Sequence, residues 1–236
     1  MSRLAEAIGA LEALGNAKVR DGMARYGIVT QERVIGVGVA DIQKVAKQFG
    51  RDHGLAEALW ETRIYEARLL VAYVADPAAL TPEQMDAWTR DMDNWATPDT
   101  LAFKLFDQSP HAFDMVDRWA DDPDEWVKRM AFALLASLAL HDKKSGDAPF
   151  LDRLPLIEAA ATDERNFIKK GVSWALRSIG GKKSPALRVA ARELADRLAA
   201  SPDKAAKWIG RDAQKAFARA DQRISGSGPA ECFPTA

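Results

Sequence analysis

The chain has 236 residues and a formal net charge of −1 at pH 7, and 47% of its residues are hydrophobic. This composition excludes wholesale disorder, and the sequence has no run of about 20 apolar residues that could span a membrane. The single cysteine, Cys232, and three scattered histidines exclude an internal disulfide and a Cys/His metal cluster, so we expect no metal, no cofactor and a reducing, cytoplasmic location.

The predicted elements are helices. Glycines and prolines separate segments of about 12–18 residues whose apolar positions follow helical spacing. Residues 63–74 carry one apolar stripe, and residues 126–140 are apolar almost all round, as in a helix buried inside a stack. Residues 28–39 are the best candidate for a strand, but their glycines favour a loop. Three Ser/Thr-Pro pairs predict helix N-caps followed by proline at the first helical position: Thr81, Ser184 and Ser201.

An approximate repeat organises the second half of the chain. Residues 126–129 (Trp-Val-Lys-Arg) and 167–170 (Phe-Ile-Lys-Lys) stand 41 residues apart and each opens an apolar helix, and residues 64–68 are a looser copy. Helix pairs repeating at about 40 residues are typical of HEAT-like arrays, which stack into a curved solenoid with a concave face. We therefore predict one all-α HEAT-like domain over residues 1–223, with these helix starts side by side, and a flexible tail over residues 224–236.

The charges are unevenly distributed along the chain. Residues 76–163 carry 8 Lys/Arg against 18 Asp/Glu, whereas residues 164–223 carry 15 against 6. A strongly basic C-terminal third is a hint of a polyanionic partner. The alternative is that these charges are solvated outer helix faces with salt bridges between repeats.

Two motifs place an aromatic residue beside a charge at the start of a predicted helix. Trp95 and Asp99 are four residues apart, so a helix beginning here projects both from one face. Alternatively, Asp99 is a first-turn carboxylate favoured by the helix dipole and Trp95 a core residue. After Trp126, the adjacent Lys128 and Arg129 could bind phosphate at a helix start. The alternative for them is a charged cap on a buried helix.

Two further motifs have the same character. Lys170, Trp174 and Arg177 fall at i, i+4 and i+7, a stripe in which cations bind phosphates while the ring stacks on sugar or base. The alternative is a Trp half-buried between repeats. Tyr26 follows Met-Ala-Arg and precedes Gly27, which alternatively indicates a helix end with a packed tyrosine and a glycine C-cap.

These motifs, in their order and spacing between Met23 and Arg219, resemble the bacterial DNA alkylation repair glycosylases of the HEAT-like-repeat type. That family has a tyrosine after Met-Ala-Arg, a central tryptophan followed four residues later by aspartate, a helix opening Trp-x-x-Arg, and a motif Phe-Ile-x-Lys-x-x-x-Trp-x-Leu-Arg. The matching residues here are Tyr26, Trp95, Asp99, Trp126, Arg129, Phe167, Ile168, Lys170, Trp174, Leu176 and Arg177.

The resemblance implies hydrolysis of the N-glycosidic bond of purines alkylated at N3 or N7 in double-stranded DNA, and we expect the protein to be a monomer. It implies that Asp99 stabilises positive charge developing on the deoxyribose. Trp95 and Trp174 would hold the damaged nucleotide, Arg129 would bind the adjacent phosphate, and Tyr26 would contact the DNA. Four further residues are the expected phosphate-binding cations: Lys128, Lys169, Lys170 and Arg177.

The chain departs from the family around the central tryptophan. Its neighbours Asn94 and Ala96 replace the aromatic or acidic residues often found there, and Pro98 is expected to hold Thr97 in an extended conformation. The alternative function is a non-catalytic HEAT-like scaffold that binds nucleic acid or protein, which the acidic middle segment favours. For an enzyme, we expect five side chains to converge on one basic concave face: Tyr26, Trp95, Asp99, Arg129 and Trp174.

Overall fold

The computed structural model describes residues 2–224, so the predicted tail after Ile224, including Cys232, lies outside the described residues. Two short 3-10 helices, Met23–Tyr26 and Phe106–Gln108, accompany the α-helices. The α-helices in chain order are α1 Arg3–Glu12, α2 Ala17–Gly22, α3 Val39–Phe49, α4 His53–Glu61, α5 Tyr65–Val74, α6 Pro82–Arg90, α7 Ala96–Lys104, α8 Ala112–Trp119, α9 Glu125–His141, α10 Ala148–Leu151, α11 Leu154–Ala160, α12 Asn166–Gly180, α13 Pro185–Ala200 and α14 Lys204–Ile224.

The all-α prediction is confirmed over residues 2–224. The extended pairing in this part of the chain is one isolated parallel bridge between Arg33 and Ile64. Within the same residues, no helix is both long and apolar enough to cross a membrane. The predicted boundary of the domain stays a prediction.

The helices form two layers. One layer, here called the inner layer, consists of α3, α5, α7, α9, α12 and α14, each packed on the next. The outer helices α4, α8, α11 and α13 pack against α5, α9, α12 and α14 respectively. This alternation is the helix-pair stacking that the repeat predicted, because an amphipathic pair can bury its apolar face only against the next pair.

Helix α9 lies at the centre of the stack. It packs against α7, α8 and α12, and residues 127–139 are all buried, as the apolar sequence predicted. The exceptions to its apolar character are Lys128, Arg129 and Ser137, which are buried polar residues. Burying a charge is costly unless it is paired, so these side chains must have partners inside the fold.

Two of the three predicted N-caps are confirmed. The Thr81 and Ser184 side chains accept hydrogen bonds from Gln84 and Leu187 amides at the starts of α6 and α13. The prediction at Ser201 is wrong. Helix α14 begins at Lys204, and Asp203 accepts the hydrogen bond from the Ala206 amide at 2.8 Å. Aspartate caps a helix as well as serine, and Ser201 Oγ instead accepts from the Asp203 amide.

The start of α5 also differs from prediction. The apolar stripe suggested a helix from residue 63, but Arg63 has a φ of 51° and α5 begins at Tyr65. The left-handed conformation of Arg63 ends the preceding turn. The backbone of Arg33 then pairs with the segment before α5: the Arg33 amide donates to the Arg63 carbonyl, and the Tyr65 amide donates to the Arg33 carbonyl.

Two buried charges of α5 hold the segment at residues 28–38, which is a loop as predicted. The Glu66 carboxylate accepts hydrogen bonds from the amides of Ile35, Gly36 and Val37 at 2.9, 2.6 and 3.2 Å. Two residues further along α5, buried Arg68 forms salt bridges with Glu32 of this loop and with Asp91. Side chains from the helix therefore satisfy the loop's polar groups, so the loop keeps a fixed position beside α5.

Candidate functional site

The start of α7 is set by Asn94. Its side-chain oxygen accepts hydrogen bonds from the amides of Ala96 and Thr97 at 3.0 and 3.2 Å, as an N-cap does. Helix α7 therefore includes Thr97, and the expectation that Pro98 keeps Thr97 extended is wrong. Pro98 lies in the first turn, where a missing backbone N–H breaks no helical hydrogen bond. The departure at Asn94 from the family pattern thus supplies the cap.

Trp95 and Asp99 stand one turn apart at this helix start. The Trp95 indole N–H donates to the Tyr26 carbonyl at 3.1 Å, which joins α7 to the 3-10 helix Met23–Tyr26. Gly27, with a φ of 70°, ends that 3-10 helix. Tyr26 itself is 75% exposed, so the alternative of a packed tyrosine is wrong, while the glycine C-cap is correct.

Arg129 binds the Asp99 carboxylate with two parallel hydrogen bonds. Its Nε lies 3.0 Å from Oδ1 and its Nη2 lies 2.7 Å from Oδ2, while Nη1 donates to the Phe167 carbonyl at 2.7 Å. The guanidinium also lies 6.0 Å from the Trp95 ring centroid and 5.8 Å from that of Phe167. The first turns of α7, α9 and α12 therefore meet along one edge of the inner layer, here called the N-terminal rim.

The N-terminal rim confirms the predicted neighbourhood of the repeated helix starts. The rings of Trp126 and Phe167, which occupy the same place in the 41-residue repeat, lie 5.2 Å apart between centroids. Tyr26, Trp95, Asp99 and Arg129 are linked through the contacts above. Their assignment to catalysis and DNA contact stays a prediction.

Burial and charge act on Asp99 in opposite directions. Burial raises the pKa of the Asp99 carboxyl, and the charge and hydrogen bonds of Arg129 lower it, with burial the larger effect. The carboxylate is 17% exposed and Arg129 only 7%. A carboxylate has about four lone-pair positions, of which the bidentate Arg129 occupies two. The remaining positions allow Asp99 to accept a hydrogen bond from water or to face a positive charge.

Trp174 lies in a different part of the inner layer. It stands two turns beyond Phe167 on α12, and its ring stacks on Phe103 of α7 with centroids 4.7 Å apart and an interplanar angle of 10°. The His141 ring meets Phe103 edge-on at 5.5 Å. Because α9 lies between α7 and α12, this stack spans α9 towards its C-terminal end. The structure thus pairs Trp174 with Phe103 rather than with Trp95.

The predicted phosphate-binding cations occupy different environments. Lys128 is 11% exposed and points at Asp163, with Nζ 3.5 Å from Oδ2, so it fits the alternative of a charged cap on a buried helix. Arg177 pairs with Asp212 at 3.2 Å. Lys170 is exposed at the start of α12. The phosphate role of each stays a prediction.

Lys169 takes part in a contact that the sequence did not suggest. Its Nζ lies 5.1 Å from the ring centroid of Trp208 on α14, the next inner helix. Among residues 2–224, no three His, Cys, Asp or Glu side chains come together as a candidate metal site.

A family model described as DNA alkylation repair enzyme matches residues 7–217. The chain belongs to this family. No curated protein matches it. The family membership confirms the resemblance that the Tyr26, Trp95–Asp99, Arg129 and Trp174 motifs indicated, and it places the N-terminal rim in a DNA alkylation repair family protein.

A solved structure shares the fold of this family member. It is described as a new family of proteins related to the HEAT-like repeat DNA glycosylases with affinity for branched DNA structures. It is 22% identical, covers 93% of this chain and 95% of its own, and has a TM-score of 0.76. The HEAT-like prediction is therefore confirmed. A designed armadillo repeat protein in complex with a (KR)4 peptide is 12% identical over 92% of this chain and 100% of its own, with a TM-score of 0.28.

The sequence interpretation of this family member missed several residues at the site. Phe103 follows Trp95 and Asp99 at the same helical spacing, so extending the stripe by one turn would have found it. The capping role of Asn94 could also have been predicted from the sequence, since asparagine is a preferred N-cap residue. No sequence pattern indicates that Arg129 binds Asp99, because the two residues are 30 positions apart on different helices.

Proposed function

We propose that this protein is a DNA glycosylase that hydrolyses the N-glycosidic bond of N3- or N7-alkylated purines in double-stranded DNA, as a step of base excision repair. One observation carries the proposal. A partly exposed carboxylate, Asp99, is fixed by Arg129 beside the Trp95 ring and the exposed Tyr26 at a single rim.

One carboxylate suffices for this chemistry. As the glycosidic bond breaks, its electron pair goes to the purine nitrogen and positive charge develops on the deoxyribose, where Asp99 stabilises it. An alkylated purine is cationic and departs neutral, so no general acid has to protonate it. Water then adds at the sugar carbon and loses a proton, and the free lone pairs of Asp99 can orient that water.

Arg129 acts in this proposal as a positioning residue. Its two hydrogen bonds fix the orientation of the carboxylate before substrate binds, so little reorganisation is needed in the transition state. Its charge also lowers the pKa of Asp99 against the effect of burial, which favours the ionised form. Trp95 offers a ring face that attracts a cationic base, and the exposed Tyr26 lies beside it for DNA contact.

The experiment is release of free 3-methyladenine and 7-methylguanine from methylated duplex DNA. We expect release by the wild type and a loss of about 10²–10³-fold in the single-turnover rate for Asp99→Asn, with DNA binding retained. The matched control is Asp114→Asn, which alters an exposed carboxylate in the first turn of the outer helix α8. A wild type that releases neither base contradicts the proposal.

A second candidate is a non-catalytic scaffold for branched DNA. It is favoured by the structural relative described as having affinity for branched DNA structures, and by the neutralisation of Asp99 by Arg129. The two candidates are separated by measuring base release together with binding to a four-way junction and to a linear duplex. No base release with a strong preference for the junction supports the scaffold and contradicts the glycosylase.

A further inference from the structure

The 41-residue spacing has a third member about one turn inside α14, which begins at Lys204. Residues 208–211 (Trp-Ile-Gly-Arg) follow residues 167–170 (Phe-Ile-Lys-Lys) by 41 positions, as those follow residues 126–129 (Trp-Val-Lys-Arg). Burial confirms the register, because the second residue of each copy is fully buried: Val127, Ile168 and Ile209. Trp208 and Arg211 therefore occupy, on the last described inner helix, the places that Trp126 and Arg129 occupy on α9.

The surface at this third copy is aromatic and cationic. Trp208 is 40% exposed, and Lys169 of the neighbouring copy lies over its ring at 5.1 Å. Around it is a shallow depression of about 390 Å³, here called the Trp208 surface, lined by Lys204, Lys207, Trp208, Arg211, Asp212 and Lys215.

Among the described residues, the cations of the Trp208 surface have no carboxylate partner. Within residues 2–224, no salt bridge joins Lys207, Arg211 or Lys215 to a carboxylate, and the same holds for Lys204. The one acid in the lining, Asp212, is engaged elsewhere: it accepts from Ser173 Oγ at 2.6 Å and lies 3.2 Å from Arg177. A cluster of free cations around an exposed ring is complementary to a phosphate backbone, with the ring packing against sugar.

We propose that the Trp208 surface binds the backbone of the DNA duplex that flanks the lesion, and that it adds affinity independent of base sequence. This inference rests on the proposed function for its choice of DNA. Asp99 and Trp208 are separated by three steps along the inner layer, from α7 through α9 and α12 to α14. Packed helices are about 8–10 Å apart, so three steps separate the axes of α7 and α14 by roughly 24–30 Å. At about 3.4 Å per phosphate of a strand, this corresponds to roughly 7–9 base pairs.

The first test measures the salt dependence of binding to an undamaged duplex for wild type, Trp208→Ala and the double variant Lys207→Gln/Arg211→Gln. We expect the double variant to reduce the slope of log K against log salt by about 2, or roughly 0.9 for each lost phosphate contact. Trp208→Ala is expected to weaken binding several-fold without changing the slope. The control is Arg192→Gln/Arg197→Gln on the outer helix α13, for which the slope should not change. An unchanged slope in Lys207→Gln/Arg211→Gln overturns the proposal and indicates a different occupant.

The second test places the contact relative to the lesion. Each duplex carries one 7-methylguanine with about 12 base pairs on one side of it and about 5 on the other, and both orientations are made. In one orientation the short arm points towards the Trp208 surface and ends before the expected contact at 7–9 base pairs. We expect kcat/KM of the wild type to fall in one orientation only, and the double variant to be insensitive to orientation. Saturating single-turnover rates should match the wild type. Equal wild-type values in both orientations, or a saturating rate lost in the double variant, contradict the inference.

The two tests also separate this inference from the proposed function. If the wild type releases no base, the glycosylase proposal fails, yet the salt slope on undamaged duplex still supports or overturns DNA binding at the Trp208 surface. If base release is normal and the slope is unchanged, only the present inference fails.

Discussion

The starts of α9 and α14 share one register of the repeat but differ in the state of their arginines. Arg129 on α9 is 7% exposed and bound to Asp99, which the preceding inner helix α7 supplies. Arg211 on α14 is exposed, and the preceding inner helix α12 presents Lys169 and Lys170 instead. The repeat therefore fixes where a cation stands, and the neighbouring helix decides whether that cation pairs with a carboxylate or remains exposed.

The same difference accounts for the uneven charge of the two regions. In the acidic middle, carboxylates pair with arginines from other segments of the chain, as Asp122 does with Arg90 and Asp117 with Arg153. This fits the alternative of salt bridges between repeats. In the basic C-terminal third, the cations around Trp208 have no such partners within the described residues. The salt-bridge interpretation therefore fits the middle region, and the polyanionic partner of the C-terminal third stays a prediction.

The largest expected effect is on stability. Arg129→Gln leaves the Asp99 carboxylate buried without its charged partner, which we expect to lower the free energy of unfolding by about 3 kcal/mol at neutral pH. Arg211→Gln, the same change at an exposed position, should alter it by less than about 0.5 kcal/mol. Urea unfolding followed by circular dichroism measures both. Equal effects of the two variants would break the comparison between α9 and α14.

The loss of unfolding free energy in Arg129→Gln should depend on pH, and the direction of that dependence is defined. Burial already raises the pKa of Asp99, and loss of Arg129 raises it further. A carboxyl with a raised folded-state pKa stabilises the fold most below its unfolded pKa, and this contribution is lost as the pH rises through the folded-state pKa. The deficit of Arg129→Gln should therefore be small in acid and grow towards neutral pH. A deficit independent of pH would mean that Asp99 is not the affected group.

The second effect is on the pH profile of excision. In the proposed mechanism Asp99 works as the carboxylate, so activity should fall as the pH drops through its raised pKa. Arg129→Gln should move this acidic limb to higher pH, and Arg129→Lys should move it less, since the charge remains while the bidentate geometry is lost. Arg211→Gln serves as the control and should leave the limb in place. The measurement is the single-turnover rate at saturating DNA across pH.

Much of this comparison could be predicted from the sequence, because it depends on local spacing. Helical periodicity and N-cap residues indicated α5, α6, α9 and α13, and the aromatic–cation pairs at residues 126–129 and 167–170 indicated that helix starts meet at one rim. The pairing of Arg129 with Asp99 and of Trp174 with Phe103 could not be predicted. Those contacts depend on how neighbouring helices cross and on the width of α9 between α7 and α12, which no local pattern specifies.

The third copy of the repeat shows a further limit of sequence interpretation. The third residue of the copy is Lys128 in α9 and Lys169 in α12, but Gly210 in α14. Without a lysine here, the sequence pattern alone does not indicate the third copy. The structure gives the reason: a Cβ at Gly210 would lie too close to the α13 backbone at Ala195 and Ala199. Because α13 and α14 approach each other this closely, the position admits only glycine, and this requirement follows from the packing of the two helices.

This close approach gives the third prediction. Gly210→Ala must separate α14 from α13, and we expect a loss of about 1–3 kcal/mol of unfolding free energy, as for other overpacked sites. The control is Lys169→Ala at the same place in the preceding copy, where the side chain is half-buried and the loss should be within about 0.5 kcal/mol. A neutral Gly210→Ala would show that the two helices are not fixed at this distance.

The smallest expected effect concerns the stack at the other end of α9. Phe103 and Trp174 should show a coupling of about 0.5–1.5 kcal/mol in a double-mutant cycle of Phe103→Leu and Trp174→Leu, since ring pairs add this much beyond burial. Additive effects would contradict the stack. The same variants test whether Trp174 holds the nucleotide. If Phe103 positions that ring for substrate, Phe103→Leu should reproduce the loss of kcat/KM in Trp174→Leu, whereas a loss confined to Trp174→Leu would assign its effect to direct contact alone.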